Sequence, residues 1–438
     1  MSGTVSAIVG FAVLLFLIGF RMPIGLAMLV VGGAGYVSFV GLDAFLNYMK
    51  TTPYYLFANY TLSVIPLFIL MGAFAERSGL SRDLFRAAGR AFGQRPGGMG
   101  MAVIGACTVF GAICGSSVAT TATFSRAALP ELKRYGYDPG FAGATVAVGG
   151  TLGILVPPSI ILVVYALATE QNIVKLFQAA LIPGLIAAVF YCVLIGWLVR
   201  RNPKLAPPVV ISDEEEGGSW MSVWPAVLVG VTVVGGIYGG IFTPTEGAAV
   251  GAIAMLIVGV MRRTLTLEGI KTSLLQTGET TAMIFLILLG AEVFNAFLAL
   301  SQLPADAALA IAESGYSPFV ILAILLAFYI VLGAVMDELA MILLTLPVFF
   351  PVVSALDFGL APDEVAIWFG ILVLIVVGVG LIAPPIGLNV FVVSAMVKDI
   401  PSLAIYRRVL PFIAADIVRL ALVMFFPGLA LLLVRLLN

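Results

Sequence analysis

The sequence contains no histidine, few cysteines and few charged residues of either sign. The absence of histidine excludes catalytic triads and metal sites that need an imidazole. Cys107, Cys114 and Cys192 form neither a CxxC pair nor a disulfide framework. Charged residues make up 10% of the chain and the net charge is −1, so no basic surface for nucleic acid is expected.

Apolar residues make up 61% of the 438 residues, and the mean hydropathy is +1.15. A soluble fold cannot hide that much apolar surface, so the composition predicts an all-α polytopic membrane protein. Runs of about 20 apolar residues predict five spans in each half of the chain. They cover 4–20, 23–42, 54–75, 140–168 and 176–199, then 221–241, 244–261, 276–298, 364–395 and 409–434.

Two further apolar stretches, 100–130 and 318–351, are interrupted near their middles at 115–117 and 333–337. Arms of roughly 12–15 residues are too short to cross the hydrocarbon comfortably. One re-entrant hairpin per half is therefore predicted, with two ordinary short spans as the alternative.

The distribution of Lys and Arg predicts the orientation. Seventeen of the 22 lie on one face, three on the other, and Arg126 and Arg419 fall within apolar stretches. The positive-inside rule makes the first face cytoplasmic and places both termini outside. The first run, 4–20, lacks a basic start and a cleavage pattern, so it is interpreted as a retained span.

Two cytoplasmic segments have a distinct composition. The Arg-rich segment 77–95 has apolar residues at near-helical spacing, which predicts an amphipathic interfacial helix. The polar segment 200–219 contains an acidic run at 213–216 and is interpreted as a solvated linker between the halves.

The two halves repeat one pattern. Gly72 and Gly115 are 43 residues apart, and Gly290 and Gly333 are also 43 apart. The double proline 157–158 has its counterpart at 384–385. Because each half has an odd number of spans, the second half must be inverted in the membrane. Inverted repeats with interrupted helices are typical of secondary transporters, whose sites lie near the midplane.

The double prolines indicate where ions bind. Proline lacks an N–H group, so Pro157 and Pro158 leave the carbonyls of Gly153 and Ile154 without helical donors. The prolines at 384–385 are predicted to free the carbonyls of Gly380 and Leu381 in the same way. A free carbonyl at membrane depth needs a partner, and Na⁺ prefers such oxygens. A proline kink satisfied by a neighbouring helix is the alternative.

Taken together, these motifs resemble the large membrane subunit of TRAP (tripartite ATP-independent periplasmic) transporters over nearly the whole chain. The most specific segments are GSSVAT at 115–120, LPELKRYGY at 129–137, GTLGILVPPS at 150–159, GIFTPTE at 240–246, GAVMD at 333–337 and PPIGLN at 384–389.

The resemblance implies an elevator-type ion-transporter-like fold, with a transport domain that slides against a scaffold. The scaffold would comprise 1–99, 169–219, 220–317 and 396–438, and the transport domain 100–168 and 318–395. It also implies uptake of a small organic acid (C4-dicarboxylate, 2-oxo acid or sialic acid) driven by at least two Na⁺ in a bacterial or archaeal inner membrane. The implied partners are a small four-span membrane subunit and a periplasmic substrate-binding protein.

Carried onto this sequence, the resemblance and the freed carbonyls imply three groups of site residues. A first Na⁺ site would comprise Gly115, Ser116, Ser117, Ala119, Gly150, Thr151, Gly153, Leu155 and Pro157. A second would comprise Gly333, Asp337, Gly380, Ile382 and Pro384. A substrate carboxylate would lie near Ser117, Thr120 and Asn389, with Arg126 as a further candidate ligand.

The sequence leaves two possible roles open for some of the charged residues. Arg126 would either bind a second carboxylate or extend to the cytoplasmic surface. Asp337 would either bind an ion or hold a structural hydrogen bond, and Glu338 would face periplasmic water. Glu279, Glu292, Asp416 and Arg419 also lie within spans, and a scaffold pair or a subunit contact is expected of them in preference to ion transfer.

Two rival functions are considered. A stand-alone sodium/divalent-anion symporter of related architecture would need no binding protein. An intramembrane enzyme is disfavoured because no histidine exists and the acidic residues lie in no recognisable catalytic motif, so the chain is expected not to be an enzyme.

Overall fold

The computed structural model describes residues 3–207, 223–313, 315–397 and 399–437. These residues form α-helices and two short 3-10 turns, with no β-strand among them. The first-half helices are α1 (Gly3–Gly19), α2 (Ile24–Val40), α3 (Leu42–Phe57), α4 (Val64–Arg77), α5 (Leu80–Phe92), α6 (Gly98–Cys114), α7 (Ser117–Ala127), α8 (Leu129–Arg134), α9 (Pro139–Leu155), α10 (Ile160–Ala168) and α11 (Ile173–Arg201). The second-half helices are α12 (Trp224–Tyr238), α13 (Pro244–Met261), α14 (Leu267–Ser301), α15 (Leu303–Ala312), α16 (Pro318–Gly333), α17 (Glu338–Ser354), α18 (Pro362–Gly380), α19 (Leu388–Met396), α20 (Ser402–Phe425) and α21 (Gly428–Leu437).

The predicted all-α membrane fold is confirmed. Five helical segments are long and apolar enough to cross a bilayer, or seven spans if each of two bent helix pairs counts as one. The interrupted span 140–168 is the pair α9 and α10, bent by 44°. The linker beyond residue 207, including the acidic run 213–216 and the first two residues of the predicted span 221–241, lies outside the described residues.

Both interrupted apolar stretches form two helices that pack on each other. The first hairpin is α6 and α7, and the second is α16 and α17. Each first arm also packs on the long arm of the interrupted span in its own half, α6 on α9 and α16 on α18. Helices α9 and α18 are buried along almost their whole length, which explains why they are apolar on every side.

The two halves cross over in a symmetric way. Helix α19 of the second half packs on hairpin arm α7, and α10 of the first half packs on hairpin arm α17. Outside this core, α2 packs on α14 and α4 packs on α13. Each of these four contacts therefore has its counterpart in the other half, as an inverted repeat requires.

The amphipathic helix predicted over 77–95 is α5, which buries Leu80, Leu84 and Phe85 and leaves Arg82 and Arg86 exposed. The Thr243–Glu246 start of α13 is a capping box, in which each side chain accepts a hydrogen bond from the backbone N–H of the other residue.

Two predicted spans have different ends in the structure. Residues 54–75 do not form one helix, because α3 ends at Phe57 and the Asn59 side chain accepts a hydrogen bond from the Thr61 amide and starts a 3-10 turn. Asn competes with helix in this way through its side-chain oxygen. The span 409–434 is bent by 54° between α20 and α21, at Pro427.

Candidate functional site

The tip of the first hairpin turns at Gly115. Helix α6 ends at Cys114, and Gly115 adopts the left-handed conformation with φ 64°. A Cβ atom there would also lie 3.0 Å from the Pro158 carbonyl oxygen, so only glycine fits well. Ser116 then caps α7, its hydroxyl accepting from the Ala119 amide at 3.4 Å.

The first helix break closes directly against this tip. The Ile160 amide, at the start of α10, donates to the Gly115 carbonyl at 3.4 Å. A Cβ atom on Gly153 would lie 2.6 Å from the Ser116 carbonyl oxygen and 2.6 Å from Thr120 Oγ1. A Cβ atom on Gly150 would overlap Thr121 Oγ1. The two glycines thus let the backbones of α7 and α9 touch, which brings 115–117 together with 150–153.

Two predicted members of the first Na⁺ site lie on the other side of α9. The Thr151 hydroxyl donates to the Val148 carbonyl at 2.7 Å and lies 3.5 Å from the Tyr191 hydroxyl of α11. The Leu155 carbonyl oxygen lies against Gly184 of α11. The structure therefore groups Thr151 and Leu155 with α11 rather than with the hairpin tip.

Buried oxygens without hydrogen-bond partners surround the first tip. Within the described part of the chain, Thr121 Oγ1, Ser159 Oγ and Asn389 Oδ1 are buried and have no partner. We call these three residues the first-tip cluster. Their surroundings link them, since Thr121 adjoins Gly150, Ser159 adjoins Gly115, and Asn389 bonds to Ser117. Burying an oxygen without a hydrogen bond costs free energy, and a bound cation would offset that cost. The first-tip cluster is therefore a candidate cation site.

Sequence reasoning left Thr121 and Ser159 out of the predicted sites. The sequence signal for Thr121 is that four of the six residues 120–125 carry a hydroxyl group, on an arm with apolar neighbours. Thr123 Oγ1 and Ser125 Oγ in that run are also buried without a partner among the described residues.

The predicted substrate residues Ser117 and Asn389 meet across the two halves. Asn389 Nδ2 donates to Ser117 Oγ at 2.8 Å and to the Ala147 carbonyl at 3.0 Å, and both side chains are fully buried. Thr120 is also buried, one turn along α7, with its hydroxyl donating to the Ser116 carbonyl at 2.7 Å. These three residues form one polar contact between α7, α9 and α19.

Arg126 lies away from this contact. It is near the end of α7, with about half of its side chain exposed, and forms an ion pair with Glu76 of α4. This placement matches the surface interpretation of Arg126. A contact with substrate stays a prediction.

The tip of the second hairpin is built around a carboxylate. Asp337 Oδ1 accepts from the amides of Leu339 at 2.9 Å and Ala340 at 3.3 Å, and so caps α17. Glu338 is partly exposed, and its Oε2 is buried without a partner within the described residues, so its contact with periplasmic water stays a prediction. The hydrogen bonds of Asp337 leave Oδ2 available for a further contact.

The second helix break also closes against its hairpin. The Ala334 carbonyl accepts from the amides of Ile386 at 3.2 Å and Gly387 at 3.3 Å. A Cβ atom on Gly380 would lie 2.6 Å from Gly333 Cα, so these helices meet backbone to backbone. Gly333 and Gly380 of the predicted second Na⁺ site are thus adjacent, and Ile382 and Pro384 lie in the connecting break.

The expectation that Gly380 and Leu381 have free carbonyls is wrong. The Ala383 amide donates to the Gly380 carbonyl at 3.2 Å, and the Asn389 amide donates to the Leu381 carbonyl at 2.9 Å. The longer connection between α18 and α19 folds back and supplies these donors, which Pro384 and Pro385 cannot. Each carbonyl retains a second lone pair for an ion.

Asp416 and Arg419 form a buried ion pair with each other. Arg419 NH2 lies 2.8 Å from Asp416 Oδ1, with each side chain 1% exposed. The Tyr191 hydroxyl lies 2.8 and 2.7 Å from the two Asp416 carboxylate oxygens and donates to this carboxylate. The pair lies behind the first helix break, where Tyr191 also approaches Thr151.

Several ion pairs join the two halves outside the apolar core. Lys133 Nζ of α8 lies 2.7 Å from Asp399 Oδ2, in the connection between α19 and α20. This hydrogen bond holds the pKa of Asp399 below its usual value.

Comparison with known proteins finds one family over most of the chain. The family described as "Tripartite ATP-independent periplasmic transporter, DctM component" matches residues 10–429. The C4-dicarboxylate TRAP transporter large permease protein DctM of Pseudomonas aeruginosa is 38% identical over 375 residues, which are 85% of this chain and 86% of that protein. The sialic acid TRAP transporter large permease protein SiaM of Vibrio cholerae is 34% identical over 379 residues, 86% of each chain.

Two further similarities extend the comparison. The isethionate TRAP transporter permease protein DctMQ of Oleidesulfovibrio alaskensis is 31% identical over 429 residues, which are 96% of this chain and 64% of that protein. Among solved structures, the YdaH transporter of Alcanivorax borkumensis superposes with a TM-score of 0.64 at 16% identity, over 89% of this chain and 90% of that one. This last likeness concerns the fold alone.

Proposed function

We propose that this chain, which belongs to the DctM family of tripartite ATP-independent periplasmic transporters as a large membrane subunit, imports a small organic acid by cotransport with Na⁺. Members of this family are transport permeases and not enzymes. The observation that carries the Na⁺ proposal is the first-tip cluster of unpartnered buried oxygens. A hard cation without its water needs a shell of such hydroxyl and carbonyl oxygens.

For the first Na⁺, the supporting features are neutral oxygens. Thr121 Oγ1 and Ser159 Oγ are buried without partners, and Pro157 cannot supply a helical donor to the Gly153 carbonyl. The proposed ligands lie among 115–121 and 150–159, with carbonyls contributing as well as hydroxyls.

For the second Na⁺, the supporting features include negative charge. Asp337 and Glu338 lie at the tip of the second hairpin, and Glu338 Oε2 has no partner in the described part of the chain. Ionised carboxylates without a counter-charge are expensive at membrane depth. A bound Na⁺ near Gly333, Asp337 and Gly380 would neutralise part of this charge.

The substrate carboxylate is proposed to bind between the two tips. Ser117 and Asn389 lie there, with the Asn389 amide currently donating to Ser117 Oγ and the Ala147 carbonyl. A carboxylate entering this position would replace Ser117 as acceptor of the Asn389 hydrogen bond. Because the contact joins the two halves, bound substrate would hold both hairpins together.

Movement is proposed to be of the elevator type. The two hairpins and the two interrupted helices interlock through the crossed contacts of α19 with α7 and α10 with α17. A group packed in this way can move as one body against α1, α2, α4 and their counterparts α12, α13 and α14. The membrane potential would contribute about 2.3 kcal/mol per net positive charge per 100 mV.

The proposed setting is a bacterial or archaeal inner membrane with both termini on the periplasmic side. The proposed partners are a small four-span membrane subunit and a periplasmic protein that delivers the acid. The names of the relatives mention C4-dicarboxylate, sialic acid and isethionate. These acids and pyruvate are accordingly the first substrates to test.

The test is uptake into proteoliposomes that contain this chain and its small subunit. Labelled succinate, pyruvate, sialic acid and isethionate are each offered with their binding protein, with and without an inward Na⁺ gradient. Uptake that requires both Na⁺ and the binding protein is expected. Equal uptake by this chain alone would contradict the tripartite proposal and favour a stand-alone symporter, while uptake without a Na⁺ gradient would contradict Na⁺ coupling.

A further inference from the structure

A cleft of about 550 Å³ lies between the α5–α6 connection and the last turns of α11. Its residues come from two separate parts of the chain and none of them belongs to the sites described above. They are Phe92, Arg95, Pro96 and Met101 on one side, and Cys192, Val193, Gly196, Trp197 and Arg200 on the other. We call this the α6–α11 cleft.

One end of the α6–α11 cleft is positively charged. Arg95 and Arg200 both line it, and neither has an ion pair with a carboxylate among the described residues. Arg201 follows, its guanidinium 4.1 Å from the centre of the Trp197 ring. Two arginines at a helix end would be ordinary for a cytoplasmic boundary. Arg95, from another segment, lines the same cleft as Arg200, so cationic side chains from two parts of the chain are available there to an anion.

The other end of the cleft is apolar. Cys192 and Val193 lie about two turns before Arg200, roughly 12 Å deeper along α11. Gly196 keeps this part open, because a Cβ atom there would lie 2.9 Å from Met101 Cε. Val193 is 66% exposed and Trp197 is 47% exposed on the same face. An apolar groove that runs from a cationic end into the bilayer matches the shape of a lipid.

We propose that the α6–α11 cleft binds one anionic phospholipid, with its phosphate between Arg95 and Arg200 and one acyl chain along Cys192, Val193 and Gly196. Basic pockets between helices on the cytoplasmic side bind acidic headgroups in this manner. A soluble phosphate would use only the arginines and would gain nothing from the apolar groove. The occupant is therefore a lipid rather than a free anion.

The location gives the lipid a consequence for transport. Helix α6 is the first arm of the first hairpin, whereas α11 lies outside both hairpins. A lipid in the cleft would contact both, and would favour the relative position of α6 and α11 seen in this structure. This consequence rests on the proposed elevator movement, but binding of the lipid does not.

The test measures lipid binding to the purified full-length chain by native mass spectrometry, with phosphatidylglycerol and phosphatidylcholine added in turn. The double variant Arg95→Gln, Arg200→Gln is compared with Arg82→Gln, Arg86→Gln, which removes the same charge from exposed positions on α5. At about 1 kcal/mol per arginine, the first variant should lose about thirtyfold in phosphatidylglycerol affinity. The control variant should lose much less.

A second variant tests the apolar half of the site without changing charge. Gly196→Leu places an apolar side chain in the groove, and its Cβ atom would meet the flexible end of Met101, so it should reduce binding while leaving the melting temperature near that of the parent. Equal losses for the two arginine variants would overturn the proposal, because charge alone would then explain binding. Displacement of phosphatidylglycerol by inorganic phosphate, or unchanged binding to Gly196→Leu, would overturn it in favour of a simple anion site.

Discussion

The two helix breaks occupy equivalent places in the repeat, yet they satisfy their backbones differently. At the first, the carbonyls of Gly153 and Ile154 would need helical N–H donors at positions 157 and 158, and the prolines there have none. At the second, the longer connection supplies amides to both equivalent carbonyls. The hairpin tips differ as well, since a serine hydroxyl caps α7 and the Asp337 carboxylate caps α17.

This difference indicates how one repeated fold would hold the two kinds of Na⁺ site proposed above. The first offers neutral hydroxyl and carbonyl oxygens with no acidic side chain at the tip. The second offers carbonyls that already accept amide hydrogen bonds but adds Asp337 and Glu338. Neutral ligands and charged ligands can both hold Na⁺, and a carboxylate makes binding depend more strongly on local charge.

The largest expected effect concerns the buried pair of Asp416 and Arg419 behind the first break. Asp416→Asn leaves Arg419 buried and unpaired, and should lower the free energy of unfolding by about 3–5 kcal/mol. Thermal unfolding in detergent measures this loss. The double variant Asp416→Leu, Arg419→Met removes both charges and should recover most of the stability. A loss below about 1 kcal/mol in the single variant would mean that Arg419 has another partner.

The next effect tests whether both breaks need direct backbone contact. Gly153→Ala and Gly380→Ala each place a Cβ atom 2.6 Å from backbone of the facing hairpin and should cost about 1–3 kcal/mol, with loss of uptake. Gly378→Ala is the matched control, since its Cβ atom would lie 3.8 Å from Thr151 in ordinary contact. Thermal unfolding and uptake are measured together. If Gly378→Ala were as harmful as Gly380→Ala, close approach at the break would not be the cause.

A smaller effect separates the charged second site from the neutral first site. Asp337→Asn keeps the cap on α17, because asparagine caps helices as well as aspartate, but removes the charge. The Na⁺ concentration for half-maximal uptake should rise about tenfold or more. Ser116→Ala should shift it less, because the carbonyls of the first site remain. A larger shift in Ser116→Ala than in Asp337→Asn would reverse the assignment of the two sites.

The smallest effect concerns the one basic residue of the first hairpin's second arm. If Arg126 only pairs with Glu76 near the surface, Arg126→Gln should change stability by about 0–1 kcal/mol. The KM for a dicarboxylate should then stay within about twofold of the parent, which corresponds to less than 0.5 kcal/mol. Glu76→Gln serves as the matched variant. A large rise in KM for Arg126→Gln alone would assign Arg126 to the substrate.

Much of the architecture could be predicted from apolar run lengths and their interruptions. The interruptions at 115–117 and 333–337 locate the pairs α6–α7 and α16–α17, but α6, α16 and α17 have 17, 16 and 17 residues instead of the expected 12–15. The re-entrant course of both pairs stays a prediction, and the predicted span 140–168 is the bent pair α9 and α10. The failure at 54–75 has a local cause, since the side chain of Asn59 offers the backbone an alternative to helix. Run length carries no information about such a competing hydrogen bond.

The candidate site could be predicted in position but not in detail. The resemblance to the TRAP family places Ser117 and Asn389 together, and the structure joins them at 2.8 Å. Thr151 and Leu155 were assigned to the same site from their place in the motif, yet they face α11. The direction in which a side chain or carbonyl leaves a helix near a break depends on local backbone angles that spacing does not specify.

The sequence by itself determined the membrane class, the inverted repeat and the places where helices must stop, because apolar length, proline and glycine act locally. Only the tertiary structure decided which carbonyls acquire donors, which hydroxyls remain without partners, and that Arg126 pairs with Glu76. Those outcomes depend on contacts between segments far apart in the chain. A repeated sequence pattern is therefore compatible with two helix breaks whose backbone carbonyls find different hydrogen-bond partners. By our proposal, the two breaks also bind their ions in different ways.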